Sequence, residues 1–155
     1  MHKNRDARAA GVLKTLAAFR DRQGWPYRFD ATVDARLEEA LRTDMHWVLP
    51  GLDRGGRRIM VYNARGLRDP AADVANLQRA ACFLLERITT EDQTRRRGVV
   101  VVADCAGASL GMLRKLRLRD AQRGMDMVAG FPCRLRHVYD RPRGNSQTSR
   151  PRPRR

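Results

Sequence analysis

Lysine is almost missing from this chain of 155 residues: of its 32 cationic side chains, 29 are arginine. Long apolar runs are missing too, since no window approaches the roughly 18 residues that a membrane-spanning helix requires. The amino end, MHKNRDARAA, has no apolar middle of the kind that marks a secretory signal. Asp6 and Asp21 count against an arginine-rich transit peptide. Cysteine is sparse and odd in number. Cys82, Cys105 and Cys133 stand far apart among apolar neighbours, which predicts buried free thiols in a reducing compartment. No CxxC pair or histidine cluster suggests a metal site, and His2, His46 and His137 have no motif around them. Neither GxxxxGK[ST] nor GxGxxG occurs, so a phosphate-cradling loop is not indicated. These absences predict a soluble cytoplasmic protein without a cofactor.

What the chain has is positive charge. Its formal net charge is +15, and residues 141–155 hold six arginines and no acid, leaving the remainder near +9. Such an excess attracts phosphate-bearing partners, and peripheral contact with anionic membranes is one expectation. Aromatic residues are only 6% and do not interleave with the basic ones, which argues against a nucleic-acid partner. Hydrophobic residues make up 42%, enough for the core of one domain.

The stretch that organises the chain is GVVVVADCAG, Gly98 to Gly107. Four consecutive valines behind Arg95, Arg96 and Arg97 predict a strand covered on both faces, as in a largely parallel sheet. Upstream, Val12, Leu13, Leu16 and Phe19 fall at helical spacing within residues 7–23, and Gly24-Trp25-Pro26 ends that helix. A second helix is expected after Asp30 as N-cap, carrying Val33, Leu37, Ala40 and Leu41. His46 to Leu49 and Ile59 to Tyr62, joined through Asp53-Arg54-Gly55-Gly56, predict a β-hairpin. Pro70 to Asp92 predicts a long helix with Val74, Leu77, Ala81, Leu84, Leu85 and Ile88 on its apolar side. After Gly107 comes a basic amphipathic stretch with Leu110, Leu113 and Leu116 beside Arg114, Lys115, Arg117 and Arg119. Asp120 to Ala129 predicts a further helix that buries Ala121, Met125 and Val128 and is capped by Gly130. Leu135 to Tyr139 then completes a βαβ unit with parallel strands. Beyond Pro142, RGNSQTSRPRPRR has no apolar residue and is expected to be disordered.

Several of these features form an ordered set. Leu49-Pro50-Gly51 and Asp53-x-x-Gly56-Arg57 precede a strand with Val61. Glu86 and Thr94-Arg95 lead into Gly98 and VVVVAD, with Asp-x-x-Gly at Asp104 and Gly107. Phe131-Pro132-x-Arg134-Leu135 opens the next strand. Over residues 46–142 this order and spacing resembles the CRAL-TRIO lipid-binding domain. The resemblance implies an α/β fold, a partial CRAL-TRIO domain with a mostly parallel sheet and a hairpin, flanked by helices and preceded by a small helical region. The expected divisions are a helical lead-in (1–43), the partial domain (44–142) and a disordered Arg/Pro-rich tail (143–155).

It further implies non-catalytic binding and transfer of one hydrophobic molecule: a phospholipid, a phosphoinositide, or a lipid like tocopherol or a retinoid. Asp104 then has a structural place at the strand end. By position the ligand would meet Ala81, Leu85, Val99, Val101, Ala103, Met127, Phe131 and Val138. In the family the chain continues past the Pro142 position with a gating helix and closing elements, so this chain is expected to be truncated after the first half of the domain. Burying an acyl chain of about 16 carbons yields on the order of 10 kcal/mol at about 0.8 per CH₂, provided water is excluded. Two other functions compete with this one. One is a basic module that tethers to anionic membrane or nucleic acid. The other is a doubly wound nucleotide-binding enzyme, which the absent glycine fingerprint disfavours.

Overall fold

A computed structural model describes residues 3–26, 28–68, 72–106, 109–114, 117–131 and 135–140. The elements in chain order are α1 (Lys3–Gln23), α2 (Ala35–Arg42), β1 (His46–Leu52), β2 (Arg58–Asn63), a 3-10 turn (Ala64–Arg68), α3 (Val74–Thr89), α4 (Asp92–Arg97), β3 (Val99–Asp104), α5 (Leu110–Leu113), α6 (Leu118–Gly130) and β4 (Leu135–Asp140). The four strands form one sheet in the order β1-β2-β3-β4. β1 and β2 are antiparallel, whereas β2, β3 and β4 run parallel. The valine strand therefore has a parallel neighbour on each side, as its unbroken apolar run predicts.

The hairpin turn is built by Asp53. Its carboxylate accepts hydrogen bonds from the Gly55 and Arg57 amides at 2.9 and 2.8 Å and from Arg57 Nε at 2.6 Å. These bonds from Arg57 hold the Asp53 carboxyl below its usual pKa. Gly56 takes φ +71°, which a side chain would resist. Pro50 sits on the outer strand β1, where the pairing with β2 shifts register between Val48 and Leu52. The turn is also tied to α4, because Arg58 makes a forked ion pair with Glu91 and donates to the Pro50 carbonyl at 2.9 Å.

Several boundaries differ from the sequence expectation. The second helix begins four residues later than expected. Asp34, not Asp30, is its N-cap and accepts from the Leu37 amide. Asp30 instead closes a local turn onto the amide and hydroxyl of Thr32, and Val33 is left 82% exposed. The long helix starts at Val74 under an Asp73 cap and stops at Thr89, with Thr90 as its C-cap. Pro70 lies outside the described residues. The arginines before the valine strand form α4, which the sequence reading did not foresee. On α6 the buried side carries Asp120 and Met127, while Met125 is 60% exposed and Ala121 is exposed. Of the expected face, Ala121 and Met125 are thus turned outward, and the side chain of Val128 lies outside the described residues. The reason is polar: Gln78 of α3 donates to the Asp120 carbonyl at 2.6 Å and accepts from Arg123 at 3.3 Å, which pulls that side inward.

One hydrophobic cluster joins the helical lead-in to the sheet. It includes Phe19 of α1, Leu37 and Ala40 of α2, Met60 of β2, Leu77, Cys82 and Ile88 of α3, and Val99 of β3. Trp25 packs edge-on between Phe19 and Phe29, with ring centroids 5.3 and 5.7 Å apart. A buried arginine and a half-buried one brace this corner. Arg20 pairs with Glu86 and donates to the Pro26 carbonyl at 3.0 Å, its guanidinium 4.9 Å from the Phe29 ring. Arg79 pairs with Asp34 and lies 5.7 Å from the same ring. Cys82 is buried as expected, and burial raises its thiol pKa to about 11, so it is an inert thiol. Cys105 is only half-buried. Cys133 and residues 141–155 fall outside the described residues. Among the described residues no helix is long and apolar enough to cross a membrane.

Candidate functional site

Side chains alternate between the two faces of a strand, so the position of Val99 decides which valines look where. Val99 is fully buried and packs in the cluster with α3, and Val101 packs against that cluster. Val100 is also buried yet is not part of it. The helix-facing series is thus Val99, Val101 and Ala103, a choice of phase that the sequence leaves open. Parallel pairing aligns Val101 with Met60 and Val138, and Ala103 with Tyr62.

The neighbouring helices bring the other candidates to the same place. On α3, Ala81 and Leu85 are one helical turn apart and are 5% and 3% exposed. Met127 of α6 and Phe131 just beyond it are 7% and 4% exposed, and all four belong to the cluster that holds Val99. Six of the eight candidates (Ala81, Leu85, Val99, Val101, Met127 and Phe131) are therefore assembled on the helix-covered side of the sheet. Ala103 is half-buried near the carboxyl end of β3. Val138 is on β4 opposite Val101, and its side chain lies outside the described residues. These six side chains are all apolar, so what they offer is apolar contact. A ligand there would replace side-chain packing with its own and must displace side chains such as Met127 and Phe131 to enter.

Polar groups lie around the margin. Asp104 ends β3 by accepting from the Ala106 amide at 3.0 Å, a turn-forming role that agrees with its expected structural place. His46 packs against Tyr62 with ring centroids 5.5 Å apart. Burial depresses the His46 imidazole to about 4, and its Nδ1 has no hydrogen-bond partner among the described residues. Tyr62 is shifted the other way, its phenol raised chiefly by burial. No group of three or more metal-binding side chains exists among the described residues. The sequence reading missed the two arginines that brace the lead-in, Arg20 and Arg79. An arginine inside a helical apolar pattern looks like any solvated cation until its carboxylate partner is located in space.

Comparison with known proteins places this geometry in a family. The CRAL/TRIO domain model matches residues 42–139. Proteins named alpha-tocopherol transfer protein-like from Homo sapiens and Pongo abelii are each 28% identical over 126 residues, covering 79% of this chain and 36% of their own length. The Mus musculus protein of that name is 25% identical over 125 residues with the same coverage. The chain thus spans about a third of the length of these curated relatives. With the family match covering most of the sheet and its helices, the chain belongs to the CRAL/TRIO domain family of lipid-binding proteins.

Proposed function

We propose that this chain binds a hydrophobic, tail-bearing ligand, without catalysis, on the helix-covered side of its sheet. The observation that carries this reading is the convergence of Ala81, Leu85, Val99, Val101, Met127 and Phe131 from three elements into one apolar cluster. Ala103 on β3 and the register position of Val138 on β4 lie toward the carboxyl ends of these strands, where ligands of parallel sheets ordinarily enter. Tocopherol heads the candidate ligands because the relatives carry that word in their names; phospholipid and retinoid tails offer the same chemistry. The ligand opens its own space by moving α6, which is held to α1 through an Arg22–Asp126 contact of 4.0 Å and to α3 through Gln78. The net positive charge supports delivery of the ligand from an anionic membrane surface.

The test is tocopherol binding followed by tryptophan fluorescence, together with mass spectrometry of lipid extracted from the purified protein. Ala103→Leu fills a half-buried position on the ligand side, and Val102→Leu places the same side chain, a smaller addition, on the opposite face. Expected is about a tenfold loss of binding for Ala103→Leu, roughly 1.4 kcal/mol, with Val102→Leu unaffected. Equal binding by both variants, or no lipid bound by the parent protein, refutes the reading.

A further inference from the structure

The basic stretch between β3 and α6 gives Met112 to the apolar cluster, but its arginines take no part there. It converges instead on a separate cavity of about 400 Å³, lined by Ala72, Asp73, Val74 and Ala75 at the start of α3 and by Arg114, Arg117, Arg119, Asp120 and Arg123 at the start of α6. In β–α–β units with parallel strands, both helices begin at the carboxyl edge of the sheet, which places the cavity there. Four guanidinium groups face two carboxylates, and both carboxylates are already engaged. Asp73 accepts from the Ala75 amide at 2.9 Å. Asp120 accepts from the Arg117 amide at 3.1 Å and from Arg123 at 3.4 Å. Arg123 is held half-buried between Gln78 and Asp120, so one wall is fixed in advance. Arg114, Arg117 and Arg119 are exposed, and among the described residues none of their guanidinium groups has a carboxylate partner.

This distribution of charge runs against the ordinary preference. The first turn of a helix favours acidic residues because its free amides already carry partial positive charge. Each helix carries one acid there, Asp73 as the cap of α3 and Asp120 in the first turn of α6, but the four arginines outnumber them, and α6 has no cation in its last turn. Like charges crowded around a concave surface repel one another until an anion enters. Arginine is also the side chain whose planar fork best fits phosphoryl oxygens.

We propose that this cavity binds a phosphoryl group, with Arg114, Arg117 and Arg119 supplying mobile contacts and Arg123 a fixed one. The cavity is lined by other residues than the apolar cluster and does not depend on the ligand reading above. Its phosphoryl group comes either from a lipid headgroup at a membrane or from a soluble phosphate.

The test uses the full chain and two probes. Inorganic pyrophosphate is titrated by calorimetry, and sedimentation compares phosphatidylcholine vesicles with and without a minor fraction of phosphatidylinositol phosphate. The variant is the triple change Arg114→Gln, Arg117→Gln, Arg119→Gln, and Arg119→Gln alone guards against a folding defect. A charge-matched control changes three exposed arginines elsewhere: Arg36→Gln, Arg54→Gln, Arg96→Gln. Each cavity arginine removed should weaken binding about tenfold, with the thermal melt unchanged and the control binding like the parent protein. Binding of pyrophosphate identifies the soluble source; binding only to phosphoinositide vesicles identifies the headgroup. The proposal is overturned if neither probe binds, or if the control loses as much affinity as the cavity variant.

Discussion

Acidification should weaken this fold in a window set by His46, and the size of the effect follows from its surroundings. The ring sits at the start of β1 against Tyr62, with Nδ1 closed off from solvent and without a partner among the described residues. Burial disfavours the imidazolium, moving the pKa from the ordinary 6.5 to about 4. In the unfolded chain the same ring takes up a proton as the pH falls through 6.5. Between these values the unfolded state binds more protons than the folded one, so stability falls with falling pH. At about 1.4 kcal/mol per pH unit, the loss is about 2 kcal/mol at pH 5 and about 3 kcal/mol at pH 4. Below that both states are protonated and the contribution levels off. Asp53 and Glu91 add nothing in the upper part of this window. Their carboxyls are held low chiefly by Arg57 and Arg58, so their stabilisation is lost only as the pH drops below the usual carboxylate range.

The assay is urea unfolding between pH 5 and pH 7.5 on the parent chain and on His46→Phe. Phenylalanine preserves a flat ring against Tyr62 and removes both the titration and the orphaned nitrogen. The parent should lose about 2 kcal/mol relative to the variant between pH 7.5 and pH 5. Parallel curves for the two proteins would refute the argument, because the acid sensitivity would then arise elsewhere.

Other consequences can be checked by the same unfolding measurement. Gly56→Ala forces a side chain into φ +71°, with its Cβ 3.0 Å from Gln93 Nε2, and should cost about 1–2 kcal/mol; no change would mean that the turn relaxes freely. Asp34→Ala removes both the α2 cap and the carboxylate facing Arg79, and is expected to cost about 2–3 kcal/mol. Asp34→Asn keeps the cap and should recover about 1 kcal/mol of that, so equal losses in the two variants would assign the whole effect to the ion pair.

The sequence made the strands legible because each carries its own signature. The valine run, the Asp–x–Gly–Gly turn and the spacing from Val99 to Leu135 encode local and near-local structure, and all appear in the sheet as expected. The order of motifs carried the family. What failed to show were choices settled by distant partners. Asp30 and Asp34 are equally good caps by type, and only Arg79, 45 residues along the chain, tells them apart by pairing with Asp34. The face of α6 was misjudged for the same reason. Its hydrophobic pattern favours Ala121 and Met125, whereas the clamp around Gln78 turns Asp120, Arg123 and Met127 inward. Placing Met127 and Phe131 among the ligand candidates came from the family resemblance rather than from helical periodicity.

The two proposed sites share the same pair of helices, and the geometry of those helices constrains how the sites could cooperate. Both α3 and α6 start at the arginine cavity and run toward the apolar cluster. From Leu118 to Phe131 the path along α6 is about 20 Å at 1.5 Å per residue, and from Ala75 to Leu85 along α3 it is about 15 Å. A single amphiphile can reach both only if its phosphoryl group and the deepest part of its tail are separated by a comparable length. A short-tailed phosphate would fill the cavity and leave Leu85 and Met127 untouched. Tocopherol, which carries no phosphate, would do the reverse. Competition between the two kinds of probe therefore distinguishes one continuous site from two: mutual exclusion requires a shared path along the helices, and independent binding means that α6 merely carries a separate site at each end.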